Sequence, residues 1–111
     1  MLKNSPLLII GSFTIIQGAY LNNIPINLKQ ANGFVFTCFA SGDEYYVRLH
    51  NENNYTIIQS QLDGYYYYAK SVNGNIIPSI YRADQPMPND SMIKKRVQIN
   101  KEDYLKKRSH Y

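Results

Sequence analysis

Tyr46, Arg48 and His50 alternate along one short stretch of this 111-residue chain, with Glu44 just before it and Glu52 just after. Alternation of this kind sends side chains to one side of a β-strand, because successive residues point to opposite faces. A glutamate or histidine beside an arginine and a tyrosine is the equipment of metal-independent phosphodiester cleavage: a general base, a general acid and a cation for the phosphate. A ribonuclease using Arg48 and His50 is therefore one reading of the stretch. A polar, solvent-facing sheet surface produces the same Tyr-x-Arg-x-His pattern, and no spacing here is diagnostic of catalysis. Other chemistry has less to stand on. Cys38 lies in the apolar run Phe34-Val35-Phe36-Thr37-Cys38-Phe39-Ala40, the setting of a small core residue. No serine occupies a Gly-x-Ser-x-Gly elbow. Two histidines sixty residues apart and one cysteine do not have the spacing of metal ligands, so no metal or cofactor is expected. Gly42, Gly64 and Gly74 sit at turns rather than in a phosphate-binding loop. The expectation is a protein that is not an enzyme.

Two other groups of residues have the chemistry of contact. In Tyr65-Tyr66-Tyr67-Tyr68, alternation sends Tyr66 and Tyr68 to one side of a strand and Tyr65 and Tyr67 to the other. Tyr46, Tyr55, Tyr66, Tyr68 and Tyr81, interleaved with Arg48, His50 and Lys70, would make an aromatic, basic sheet face. Tyrosine suits interfaces, because a large rigid ring costs little conformational entropy and its hydroxyl stays wet. The same mixture can stack nucleobases and hold phosphates. A second layer built from residues 7–16 and 20–28 would instead cover this face and leave the tyrosines as a rim.

Charge is the second group. Residues 1–92 carry five basic and six acidic side chains. Residues 93–111 carry seven basic ones (Lys94, Lys95, Arg96, Lys101, Lys106, Lys107, Arg108) and only Glu102 and Asp103 against them. The formal net charge of +4 therefore lies entirely in the last 19 residues. Such asymmetry points to a basic segment that meets an anionic partner, or to a helix kept soluble by its charge.

The elements that must position these residues are mostly strands. Thirteen Ile and eleven Tyr, with no Trp, favour pleated, half-buried surfaces. Asn, Ile, Lys and Tyr also share A/T-rich codons, so part of this content reflects genome composition. Asp63-Gly64 and Asn73-Gly74 favour type I′ turns, ten residues apart, each flanked by strand formers. Ser41-Gly42-Asp43-Glu44 and Asn51-Glu52-Asn53-Asn54 read as polar loops. An antiparallel meander follows, with strands near 34–40, 45–50, 55–62, 65–72 and 75–82. Residues 20–28 read as an irregular strand that Pro25 places at an edge. Residues 84–90, with Pro86 and Pro88, read as a loop. Residues 96–99 read as a last short strand, and Asn100 as the N-cap of a basic C-terminal helix, with one continuous helix from Ser91 as the alternative.

Taking Asp63-Gly64 as a two-residue loop and 51–54 as a four-residue loop assigns the faces. Val47, Leu49, Ile58, Leu62, Tyr65, Tyr67, Ala69, Ile76 and Ile80 fall on a core side. Tyr46, Arg48, His50, Tyr55, Gln59, Gln61, Tyr66, Tyr68, Lys70 and Tyr81 fall on an outer side. A one-residue slip at any loop exchanges the sides of every strand beyond it.

The expected fold is a single, mainly β domain over 1–111: a small antiparallel meander forming a barrel or two-layer sandwich, with a short basic C-terminal helix. Residues 7–16 form an apolar run expected to be a buried strand. A secretory signal over 1–19 is the alternative, weakened by Gln17 where cleavage after Ala19 wants a small residue. The lack of any possible intrachain disulfide suits the cytoplasm, and no membrane span is expected. The expected function is that of a small interaction protein, inhibitor-like or immunity-like. It would bind a partner protein or nucleoprotein through Tyr46, Arg48, His50, Tyr55, Tyr66, Tyr68, Lys70 and Tyr81, together with Lys94, Lys95, Lys106, Lys107 and Arg108. Direct RNA or DNA binding is the alternative.

Overall fold

The computed structural model describes residues 20–109; the apolar run 7–16 lies outside them. Six strands form one antiparallel sheet in sequence order: β1 (Leu21–Lys29), β2 (Val35–Gly42), β3 (Val47–His50), β4 (Thr56–Gln59), β5 (Tyr66–Val72) and β6 (Asn75–Arg82). One helix, α1 (Lys101–Ser109), follows. The meander and the helix match the expected architecture. The sheet is not closed, since β1 and β6 stand at opposite ends of the strand order, so neither the barrel nor a second sheet is found among the described residues. Each end strand carries a proline, Pro25 on β1 and Pro78 on β6. A residue without an N–H fits an edge strand, and it blunts both edges against further pairing.

The loops set the register. Asn73 and Gly74 have φ of 52° and 82°, and Val72 pairs with Asn75, the two-residue hairpin expected there. The Asp63-Gly64 connection is longer than expected: Ser60 N–H donates to Tyr65 O and Gly64 N–H to Ser60 O, and only Gly64 has positive φ. Gln59 thus pairs with Tyr66, a two-residue shift that leaves faces unchanged. The decisive difference lies between β3 and β4. His50 pairs with Thr56, so the loop holds five residues, 51–55, rather than four. Asn51 organises it: its N–H donates to Tyr55 O, and its Oδ1 accepts from Asn53 N and Tyr55 N. Asn54 adopts φ of 70°.

One extra residue exchanges the faces of β4 to β6 relative to β3. Val47 and Leu49 face inward as expected, but they share that side with Ile57, Tyr66 and Tyr68. Tyr66 and Tyr68 are buried, at 8% and 2% exposure, and belong to the core rather than to an open face. Ile80, expected inside, is 82% exposed, and Leu62, also expected inside, is 97% exposed because it lies in the 60–65 turn beyond β4.

The core also explains the sheet's shape. Ile26 and Leu28 of β1 cluster with Cys38, Ala40, Ile57, Tyr66, Tyr68 and Ala83. In a flat sheet β1 and β5 would lie four strand spacings, or about 19 Å, apart. Their contact requires the sheet to curl into an open half-barrel with these side chains on its concave side. Gln30, at the end of β1, bridges the remaining distance. Its Oε1 accepts from Tyr66 N at 2.7 Å, and its Nε2 donates to Tyr66 O and to Asp84 Oδ1 at 3.1 and 2.8 Å. A side-chain amide here does what a neighbouring strand's backbone does elsewhere in the sheet.

Residues 90–100 form no helix or strand. The strand expected at 96–99 is absent because Arg96 has φ of 59°, outside the extended range, and its N–H donates to Asn54 O at 2.8 Å. The segment crosses the outer side of the sheet, where Thr56 Oγ1 donates to Val97 O at 2.5 Å. Helix α1 then begins where expected: Asn100 Oδ1 accepts from Asp103 N at 2.8 Å. Glu102 and Asp103 lie at its positive pole, and Lys106, Lys107 and Arg108 at its negative one.

Candidate functional site

On the outer side lie Tyr46, just before β3, and Arg48 and His50 on it, as the alternation predicts, but the three side chains have different fates. His50 is 2% exposed and stacks on Phe39 at 6.1 Å between ring centroids. Its Nδ1 lies 2.8 Å from Asn51 O and its Nε2 2.8 Å from Ser41 Oγ. A carbonyl can only accept, so Nδ1 carries a proton; Ser41 Oγ, which meets Nε2, also accepts from Asn23 N and lies 3.3 Å from Asn23 Oδ1. Burial lowers the His50 pKa; the Asn51 carbonyl opposes this, and the charges of Arg48 and Arg96 add to it. Both ring nitrogens are occupied within the protein, an arrangement that holds β3 to β2 and leaves neither nitrogen directed at a substrate. Tyr46 is half-buried; burial raises its pKa, against a hydrogen bond from the Ile99 backbone and the charge of Arg48.

Arg48 is the organised cation of this surface. Its Nη2 donates to Asn54 Oδ1 at 2.9 Å, and its Nη1 to Thr56 Oγ1 at 3.2 Å and Asn54 O at 3.4 Å. Asn54 O also accepts the Arg96 backbone, so one asparagine places both arginines. Burial lowers the Arg48 pKa; Tyr46 raises it and Arg96 lowers it further. Two guanidinium groups therefore act on each other, and the acceptors that hold Arg48 are neutral. Arg82 shows the alternative solution: its Nε and Nη2 donate to the two carboxylate oxygens of Asp84 at 3.0 and 2.8 Å.

Lys94 and Lys95, beside Arg96, are exposed, and the Lys95 ammonium lies 5.7 Å from the centre of the Tyr55 ring. Tyr55 meets Tyr68 edge-on on the inner side. There a cleft of about 630 Å³ opens between the 51–55 loop and residues 83–89, lined by Phe36, Asn51, Tyr55, Tyr68, Met87 and Lys95. Tyr68 takes part only at its rim, because its hydroxyl donates to Gln85 O at 2.7 Å.

The basic end of α1 is docked rather than loose. Tyr104 Oη donates to Asp43 Oδ2 at 2.5 Å, Tyr104 packs edge-on against Tyr45, and Arg108 lies 5.7 Å over the Tyr45 ring. Burial pushes the Asp43 pKa up, but hydrogen bonds from Tyr104, Tyr45 and Tyr46 and the charge of Arg108 hold it below the usual carboxylate range. Lys106 and Lys107 are exposed.

Of the residues singled out in the sequence, Arg48 and Lys95 come together around the 51–55 loop, whereas Lys94 lines a groove with Lys70, Ile80 and Tyr81. Arg96 and Asn54 join them, although neither stood out by spacing. Lys106, Lys107 and Arg108 are on α1, tethered through Asp43 to the turn before β3. Tyr66, Tyr68 and the half-buried Tyr81 belong to the core or pack on it, and Lys70 is exposed on β5. Cys38 is buried, which pushes its thiol up to about 12 and keeps it protonated near neutrality. Among the described residues, no three His, Cys, Asp or Glu side chains group as metal ligands, and no helix is long and apolar enough to cross a membrane. Compared with protein-family models, with curated proteins and with solved structures, the chain matches none.

Proposed function

We propose that this protein is a non-catalytic interaction module that binds an anionic macromolecular partner, a protein or nucleoprotein surface. Its contacts are the basic C-terminal segment and Arg48, not the tyrosines of β5. The observation that carries this reading is that the Arg96 backbone and the Arg48 guanidinium donate to the same Asn54 carbonyl, with Lys94 and Lys95 exposed in the residues just before Arg96. Like charges brought together without a carboxylate among the acceptors that hold Arg48 are unfavourable in isolation and become favourable when an anion arrives. Burial of Tyr66 and Tyr68 takes these two rings out of the contact surface, which favours an electrostatic reading of the recognition.

Capture of the partner on tagged protein from native-cell extract, with and without nuclease, tests the reading. The partner should elute as salt rises, because screening weakens contacts between exposed charges. Replacing Lys94, Lys95, Lys106 and Lys107 together by glutamine should slow association, reduce the salt dependence and leave thermal unfolding unchanged. A partner retained at high salt and captured equally by the glutamine variant would defeat the proposal.

A further inference from the structure

Resting on that reading, we infer that Arg48 and Arg96 form a subsite for the phosphodiester groups of a nucleic-acid strand, with Asn54 as the residue that builds it. The Arg48 fork is aimed before any ligand arrives: Asn54 Oδ1, Asn54 O and Thr56 Oγ1 orient it and neutralise none of its charge. The Arg96 backbone is pinned on both sides, by its own N–H to Asn54 O and by Thr56 to Val97 O. It also holds φ of 59°, a conformation that disfavours a long side chain. The molecule thus holds the Arg96 backbone in a disfavoured conformation against the same Asn54 carbonyl that accepts from the Arg48 guanidinium. A tetrahedral oxyanion can accept from both, and arginine is the side chain whose planar donors match it.

The surroundings favour a polymer. Lys94 and Lys95 lead into the pair, and Lys101, Lys106 and Lys107 follow it, all exposed. Cations spaced along an extended segment and a helix suit a chain of repeated phosphates, whereas a single phosphorylated side chain would leave most of them unused. Arg48 is half-buried on the sheet and Arg96 is exposed, so a ligand that meets both must reach in to the sheet surface. A phosphate on a flexible single strand does so more readily than the headgroups of a flat bilayer. Phosphate contacts carry no sequence information, so recognition through this pair should depend little on sequence.

The test uses the intact protein and fluorescence anisotropy with labelled oligouridylate and labelled duplex DNA of equal length, at two salt concentrations. Arg48→Lys and Arg96→Lys keep the charge and remove the planar fork. Each should weaken oligouridylate binding by about tenfold, the loss of one charge-assisted bidentate contact. Arg48→Gln should in addition lower the slope of log affinity against log salt by about 0.7, the share of one single-strand phosphate. Arg96 is exposed, so its variants report on the subsite even where a change at Arg48 disturbs folding, which thermal unfolding reveals. If both lysine variants bind like the parent while Lys106→Gln with Lys107→Gln binds more weakly, the subsite is refuted and the wider basic-surface reading stands. If the parent binds neither oligonucleotide at low salt, the nucleic-acid assignment is refuted. Arg96-dependent capture of a phosphoserine peptide or of phosphatidylserine vesicles in that case moves the subsite to another partner.

Discussion

His50 was the residue with the strongest catalytic appearance, and its surroundings give it a structural task. It bonds through both nitrogens, stacks on Phe39 and feels two arginines. Its depressed pKa has a consequence for stability. The unfolded chain binds a proton on this imidazole near the ordinary value of about 6.5, and the folded protein resists it. Between those two values the unfolded state holds more protons, so His50 contributes stability at neutral pH that is lost as pH falls through about 6.5 towards the folded value. Urea unfolding at about pH 7.5 and about pH 5.5 should show this loss in the parent and a smaller one in His50→Gln, which cannot titrate. The lowered carboxylates Asp43, Asp63 and Asp84 act in more acid solution and do not confuse the comparison. An equal loss in both proteins would mean that His50 is not the group responsible.

At the scale of elements, α1 is an unusual attachment. None of its residues is buried, and it carries little apolar surface to hold it. An isolated helix of nine residues is marginal in water, so its order rests on caps and contacts. Asn100 supplies the cap, and Asp43 the contact that docks it to the β2–β3 turn. Asp43 also accepts from Tyr45 N and Tyr46 N, so the residue that receives α1 is itself fixed by its turn. Gly42, with φ of 144°, allows that turn to close: a Cβ there would overlap the Tyr46 carbonyl oxygen. Tyr104→Phe should therefore release the end of α1 while costing the whole domain only about 1 kcal/mol. Amide exchange should speed up across 101–109 and stay unchanged in β2 to β5. Unchanged exchange in the helix would show that Asp43 is not its anchor.

For the molecule as a whole, curling of the sheet is what creates a core. Among the described residues the sheet is one open layer, and its apolar side chains pack on one another across the curl. Tyr68 is central to that closure, since it meets Ile57 across β4, Tyr55 edge-on and Gln85 through its hydroxyl. Tyr68→Ala should cost about 3–5 kcal/mol, enough to leave much of a small domain unfolded. Gln30→Ala should cost about 1–3 kcal/mol by leaving the buried Tyr66 N–H without its partner. Denaturant midpoints give both numbers. A Tyr68→Ala protein of parental stability would reverse the assignment of this residue to the core.

Much of the architecture was legible in the sequence because its signals are local. Asn-Gly fixes a two-residue hairpin wherever it lies between strand formers, prolines mark edges, and Asn100 followed by two carboxylates starts a helix regardless of what surrounds it. Charge is additive, so the basic bias of 93–111 was countable before any fold was known. Which tyrosines are available to a partner was not local information. It depended on whether the 51–55 loop holds four residues or five, and Asn51 decided that by accepting from both Asn53 N and Tyr55 N. Side-chain direction has a period of two, so that one residue sent Tyr66 and Tyr68 inward and Ile80 outward. The meeting of Arg96 with Arg48 was equally out of reach. Residues 48 apart in the chain are brought together only by the path that the 90–100 segment takes across the folded sheet, through a single carbonyl of Asn54.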